Sequence, residues 1–188
     1  MKKLLTLALL AAVGVVSAAS IDWKIGLAAN KFYDKDGNTL APVNAYLILA
    51  ADYANWSDGL TSDSPVSDIA AALSAASLDG AKEYTDLKTS GTFTSSSTKL
   101  TAATEYDFYL IVLNPTTGQY LDLGSKSDLA YASGDTATTL TWTAAQSVYT
   151  TKPGNANYNP SAWQSVPEPA TGALALAGVA LLFKRRRA

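Results

Sequence analysis

The sequence predicts a mainly β protein: an antiparallel β-sandwich with one short helix (about 64–79), flanked by an N-terminal signal helix and a C-terminal transmembrane helix. Three observations carry that expectation. Apolar residues in the middle of the chain recur at period two, the spacing of strands with one buried face. Turn-forming residues separate these runs at short intervals. A single stretch switches to helical spacing. Many short strands with one helix favour two packed sheets. The chain divides on this reading into a signal peptide (1–19), a β-sandwich domain (20–149), a linker (150–166) and a C-terminal segment (167–188).

The first segment opens with Lys2 and Lys3, continues through the apolar run Leu4 to Val16, and ends in the small residues Ser17, Ala18 and Ala19. That order is the pattern of an export signal cut by signal peptidase. A retained membrane helix is the alternative, disfavoured because the apolar run is short. Cleavage after Ala18 or Ala19 starts the mature chain at Ala19 or Ser20.

The strands follow in order. Asp22 to Leu27 alternates, with Trp23, Ile25 and Leu27 on one face and Lys24 on the other. Lys31 to Leu40 holds a turn at Asp36-Gly37, because Gly adopts positive φ without penalty. Asn44 to Ala50 is a denser apolar run, the mark of a central strand. The helix follows: Ser64 as cap, Pro65 at the first helical position, Asp68 near the positive end of the dipole. Val66, Ile69, Leu73 and Ala76 form its apolar stripe and Gly80 its end. The stripe is narrow, so the helix is expected to lie against a sheet. A strand around Phe93 (Thr89 to Thr94) comes next. Tyr106 to Leu113, the turn Asn114 to Gly118 and the return Tyr120 to Leu123 form the clearest hairpin, with Pro115 breaking the pairing. Thr138 to Thr143 places Leu140 and Trp142 on one face. From Thr150 to Val166 the residues are those of turns and linkers.

Composition limits the chemistry. The chain has no His and no Cys. Ser-His-Asp and Cys-His catalysis are therefore excluded, and zinc or copper sites and disulfides lack their usual ligands or partners. No cofactor is expected. Six of the 14 basic residues and one of the 16 acids lie in the terminal segments, which leaves the part from Ser20 to Ser165 near −7. So acidic a body repels phosphate and is not a nucleic-acid binder. Paired carboxylates are the remaining catalytic option. Glu83 and Glu105 stand among thirteen aspartates, most of them beside turn residues, and no spacing singles out a pair. The expectation is a protein that is not an enzyme.

Asp34-Lys35-Asp36-Gly37-Asn38 offers oxygen ligands for calcium. However, Gly37 stands at position four from Asp34, and position twelve is Ala45, so a hairpin turn fits better than an EF-hand loop. Ten tyrosines, and Tyr149, Tyr158 and Trp163 near the polar C-terminal stretch, suggest a carbohydrate-binding module as an alternative. Their ordinary place is in strands and cores. Asn55-Trp56-Ser57 fits an N-glycosylation acceptor, a pattern that recurs by chance.

The tail is more specific. Pro167 and Pro169 lock their own φ and push Val166 and Glu168 toward extended backbone, so Pro167-Glu168-Pro169 is expected to be an exposed, extended segment. Ala170 to Phe183 follows as a helix of 14 apolar and small residues, about 21 Å long against a bilayer core of about 30 Å. Lys184, Arg185, Arg186 and Arg187 can snorkel to the interface and stay on the cytoplasmic side, placing the body outside. Together these three parts resemble a PEP-CTERM sorting signal. The resemblance covers about the last 23 residues and does not reach the body. It implies recognition by an exosortase, a membrane-embedded cysteine protease, with cleavage near Pro167-Glu168-Pro169. Val166 to Pro169 are then recognition elements of a substrate. It also implies a membrane-anchored precursor, later released or transferred to the cell surface, in systems associated with exopolysaccharide and biofilm. The partners expected are signal peptidase, the exosortase, the membrane and, as a further candidate, exopolysaccharide.

Overall fold

A computed structural model describes residues 18–26, 32–34, 36–40, 42–84, 92–132, 135, 137–143 and 162–166. The signal segment before Ala18, the span 170–183 and the basic cluster lie outside these residues. The protein is mainly β, with several sheets. The strands are β1 (Ala19–Gly26), β2 (Phe32–Tyr33), β3 (Thr39–Leu40), β4 (Val43–Leu49), β5 (Lys82–Tyr84), β6 (Phe93–Ser97), β7 (Glu105–Leu113), β8 (Tyr120–Leu129) and β9 (Thr139–Thr143). The helices are α1 (Ala50–Tyr53) and α2 (Val66–Ala76).

Alternation in β1 buries Ile21, Trp23 and Ile25. This strand is the centre of a three-stranded sheet ordered β6-β1-β9. The dense run of β4 is central too, in a four-stranded sheet ordered β5-β4-β7-β8. One core cluster draws on both sheets: Trp23 and Ile25 of β1, Leu47 of β4, Leu110 of β7 and Trp142 of β9 belong to it. Polar tips of aromatic residues tie the two sheets together. Trp142 Nε1 donates to the Gly124 carbonyl at 3.0 Å, and the Ile25 amide donates to the Tyr84 hydroxyl at 3.3 Å. Burial pushes the Tyr84 phenol far above its ordinary range, more than the bond from Ile25 lowers it.

The four-stranded sheet is covered on its other face as well. Tyr46 and Ile48 of β4, Ile111 and Leu113 of β7, and Tyr120 of β8 cluster with Ile69 and Leu73 of α2 and with Trp56. The helix thus lies against a sheet, as its stripe predicts. Trp56 meets the Tyr120 ring edge-on at 5.1 Å. The turn Asn114 to Gly118 packs under the start of the helix. Gly118 has φ +72°, and a Cβ there would stand 3.1 Å from Ile69 Cδ1 and 3.2 Å from Val66 Cγ2. The position demands glycine twice, for its backbone and for its space.

Several details depart from the sequence reading. The pair β1–β9 is parallel, so the sheets are not wholly antiparallel. A parallel pair needs a long crossover, here supplied by the rest of the body. The helix is shorter than 64–79. Ser64 does not cap it: Pro65 is the N-cap residue, and the Ser64 hydroxyl instead accepts from the Thr61 amide at 2.8 Å. The helix ends at Ala76, before Gly80. Ser77 closes it, donating to the Ser74 carbonyl and accepting from the Gly80 amide. Helix α1 and strand β5 were not expected, being four and three residues long.

Leu73→Ala is expected to destabilise the body by about 2–5 kcal/mol, because Leu73 is fully buried and its loss leaves a cavity. Gly118→Ala is expected to cost about 1–3 kcal/mol through backbone strain and the clash with α2. Urea denaturation of each variant beside the parent measures both.

Candidate functional site

In the four-stranded sheet, β8 is an edge strand. A short segment of chain, Ala162 to Val166, lies along its beginning. The Gln164 amide donates to the Tyr120 carbonyl at 2.8 Å, and the Tyr120 amide donates back to Gln164 at 2.9 Å. The bridge is antiparallel. Residues on either side of it enter different cores. Trp163 joins the core shared by the two sheets, and its Nε1 donates to the Tyr33 carbonyl at 2.7 Å. Val166 joins the core beneath α2. Their exposures are 6% and 3%. The pattern follows from strand geometry, since residues three apart point to opposite faces.

The last five residues of the expected linker are therefore docked on the body. The sequence signal was modest: one large aromatic and one valine in a run otherwise made of turn residues. Trp163 is also removed from the sugar-stacking reading, because its ring is buried and its N–H is taken. Tyr149 and Tyr158 lie outside the described residues.

Of the sorting residues, Val166 is docked, while Pro167, Glu168, Pro169, Lys184, Arg185, Arg186 and Arg187 lie outside the described residues. Ala18 is half-buried. Ala19 is buried in β1 and pairs with Ser97. Glu83 and Glu105 do not meet. Glu83 pairs with Asn44, which pairs with Leu113, eight residues along β7 from Glu105. Eight residues of strand span about 26 Å, well beyond the roughly 5–10 Å of a glycosidase pair. Asn55 is exposed, and Trp56 beside it is buried. A shallow hollow of about 330 Å³ lies there, lined by Asp52, Asn55, Trp56, Ala72, Ala75 and Ala76. Asp52 also pairs with Lys99 at 2.6 Å.

The loop from Asp34 to Asn38 is a turn. Asp34 Oδ1 accepts from the amides of Asp36 at 2.9 Å and Asn38 at 2.7 Å, and Oδ2 accepts from the Asn38 side chain at 3.0 Å. Gly37 supplies φ +82°. No three His, Cys, Asp or Glu side chains among the described residues gather as a metal site. A little burial works to raise the Asp34 carboxyl, but the hydrogen bonds from Asn38, Asp36 and Gly37 outweigh it and hold the group below its ordinary value.

No helix among the described residues is long and apolar enough to cross a membrane. The tail beyond the docked segment is decided by comparison. A family model for the PEP-CTERM protein-sorting motif matches residues 165–188. The chain carries a PEP-CTERM sorting motif. No curated protein and no solved structure matches it. The PEP-CTERM motif begins within the docked segment, at Ser165 and Val166. It implies an exported protein with a membrane-anchored precursor that an exosortase processes.

Asp34 gives a pH prediction. Its folded pKa lies below the unfolded one, so its contribution is full at neutral pH and is lost as pH falls through the folded value. Asp34→Ala is expected to cost roughly 0.5–1 kcal/mol at pH 7, a modest figure because the group is largely solvated. The gap between the variant and the parent should shrink toward pH 3 in paired denaturation curves.

Proposed function

We propose that this chain is a non-enzymatic cell-surface or extracellular-matrix protein, exported with a cleaved signal peptide and sorted by an exosortase. The observation that carries this reading is the PEP-CTERM motif, whose match begins at Ser165, within the segment docked on a folded β body. The apolar span Ala170 to Phe183 holds the precursor in the membrane, with Lys184 to Arg187 on the cytoplasmic side. Cleavage near Pro167-Glu168-Pro169 frees the body, a two-sheet sandwich with a helical cover. Association with exopolysaccharide or biofilm is the setting that such a tail suggests. The absence of His and Cys from the chain and the distance between Glu83 and Glu105 support a non-catalytic role.

The fold also favours one signal-peptidase position. Cleavage after Ala18 keeps Ala19 in β1, buried and paired with Ser97. Cleavage after Ala19 removes that pair.

Intact mass and terminal sequencing of the protein, from cells with and without the exosortase, test both points. The mature N-terminus is expected at Ala19. The Arg cluster is expected to disappear only where the enzyme is present. An intact Arg cluster in both samples refutes the sorting reading.

A further inference from the structure

We propose that Ala162–Val166 is a positioning strap for the sorting reaction, confining cleavage to bonds beyond Val166. The proposal rests on the exosortase reading and adds what that reading leaves open: which bonds the enzyme can reach.

Proteases commonly take substrate as an extended strand, whose backbone pairs with the cleft. Here the backbone of Gln164 is already paired, in both directions, with Tyr120. Val166 is 3% exposed and belongs to the core beneath α2. Trp163 is held in the other core and by the Tyr33 carbonyl. No part of the strap can enter a cleft without leaving the fold. Pro167 is the first residue beyond it. From Pro167 to Pro169 the chain spans at most about 10 Å before the membrane segment. Two prolines in those three residues remove most of the slack. The body is thus drawn against the membrane-embedded enzyme, and the cut is measured from the strap. Cleavage breaks one peptide bond beyond Val166. With water as acceptor, the body keeps a carboxylate and the tail fragment leaves with a new amino group.

Trp163 and Gln164 lie outside the matched motif, so they can be changed without altering it. The Gln164 side chain is exposed and its role is in the backbone. The test uses the full-length chain expressed with the exosortase, reading the intact mass of the released body and the rate of its release. The parent and Gln164→Ala are expected to give a single C-terminus at or beyond Pro167. Gln164→Pro, which lacks the amide donor, and Trp163→Ala are expected to give several C-termini and roughly tenfold slower release, from lost positioning. Hydrogen exchange at the Tyr120 amide reports docking independently: slow in the parent and Gln164→Ala, fast in the other two. Gln164→Pro removes the sheet-edge donor while keeping the Trp163 and Val166 side chains, so it serves if Trp163→Ala fails to fold. An unchanged C-terminus and rate in Gln164→Pro, with Tyr120 exchanging fast, overturns the proposal. So does fast Tyr120 exchange in the parent. A parent that keeps its Arg cluster beside the enzyme refutes the sorting reading instead, while exchange still reports on the strap.

Discussion

Burial of both faces of β4 is the constraint on which the rest of the structure depends. Val43, Ala45, Tyr46, Leu47 and Ile48 are all 1% exposed or less. A strand with one buried face needs one cover, but this strand needs two. Ala45 and Leu47 require the sheet built around β1. Tyr46 and Ile48 require a second layer, and α2 alone is too narrow to provide it. Its stripe contributes only Ile69 and Leu73 as buried residues. Trp56 and Val166 fill the remainder, packing with Tyr120 of the sheet itself. Val166, the second residue matched to the sorting motif, is therefore also part of the cover over the central strand. Hydrophobic burial scales with the area removed from water, so removing Val166 from this cover exposes part of the central strand's second face.

The aromatic residues that fill these cores bring polar atoms with them, and each is satisfied. Trp23 donates to the Ser95 hydroxyl, Trp142 to Gly124 and Trp163 to Tyr33. No buried side-chain nitrogen or oxygen among the described residues lacks a partner. At the surface, Tyr53 stacks on Tyr109 with ring centroids 3.8 Å apart and donates to Asp122. Tyr131 donates to Asp22, and its partial burial together with that acceptor and its charge pushes the phenol up to about 12. These pairings give Tyr53, Tyr109 and Tyr131 structural partners.

Much of this fold was legible in the sequence because its signals are local. Period-two alternation located β1 and β9, the Asn-Pro-Thr-Thr-Gly turn located the β7–β8 hairpin, and a 3–4 stripe located α2. What stayed hidden depends on distant residues. Nothing near Ser64 reveals that its hydroxyl serves the Thr61 turn and not the helix. The strand expected around Phe93 is β6, but its continuation to Ser97 has no apolar mark: it pairs along β1, and its buried Ser95 accepts from the Trp23 indole. The parallel pairing of β1 with β9 has no local mark at all. At the site, the sorting tail was readable because it is a linear motif met by a protease. The strap before it was not. Trp163 and Val166 become informative only when the two cores they enter exist.

The β1–β9 pair has a consequence in time as well as in space. Asp22 pairs with Thr139, 117 positions later in the chain. Contacts at such separation require a large loop to close before they return any stabilisation, and they slow folding. The first strand of the body thus waits for almost the last. A polypeptide threaded through a membrane from its N-terminus must stay unfolded until it has passed. For export of that kind, as proposed for this chain, β1 would emerge early yet lack its parallel neighbour until β9 follows, so the order of the strands would delay closure of the body until nearly all of it has crossed.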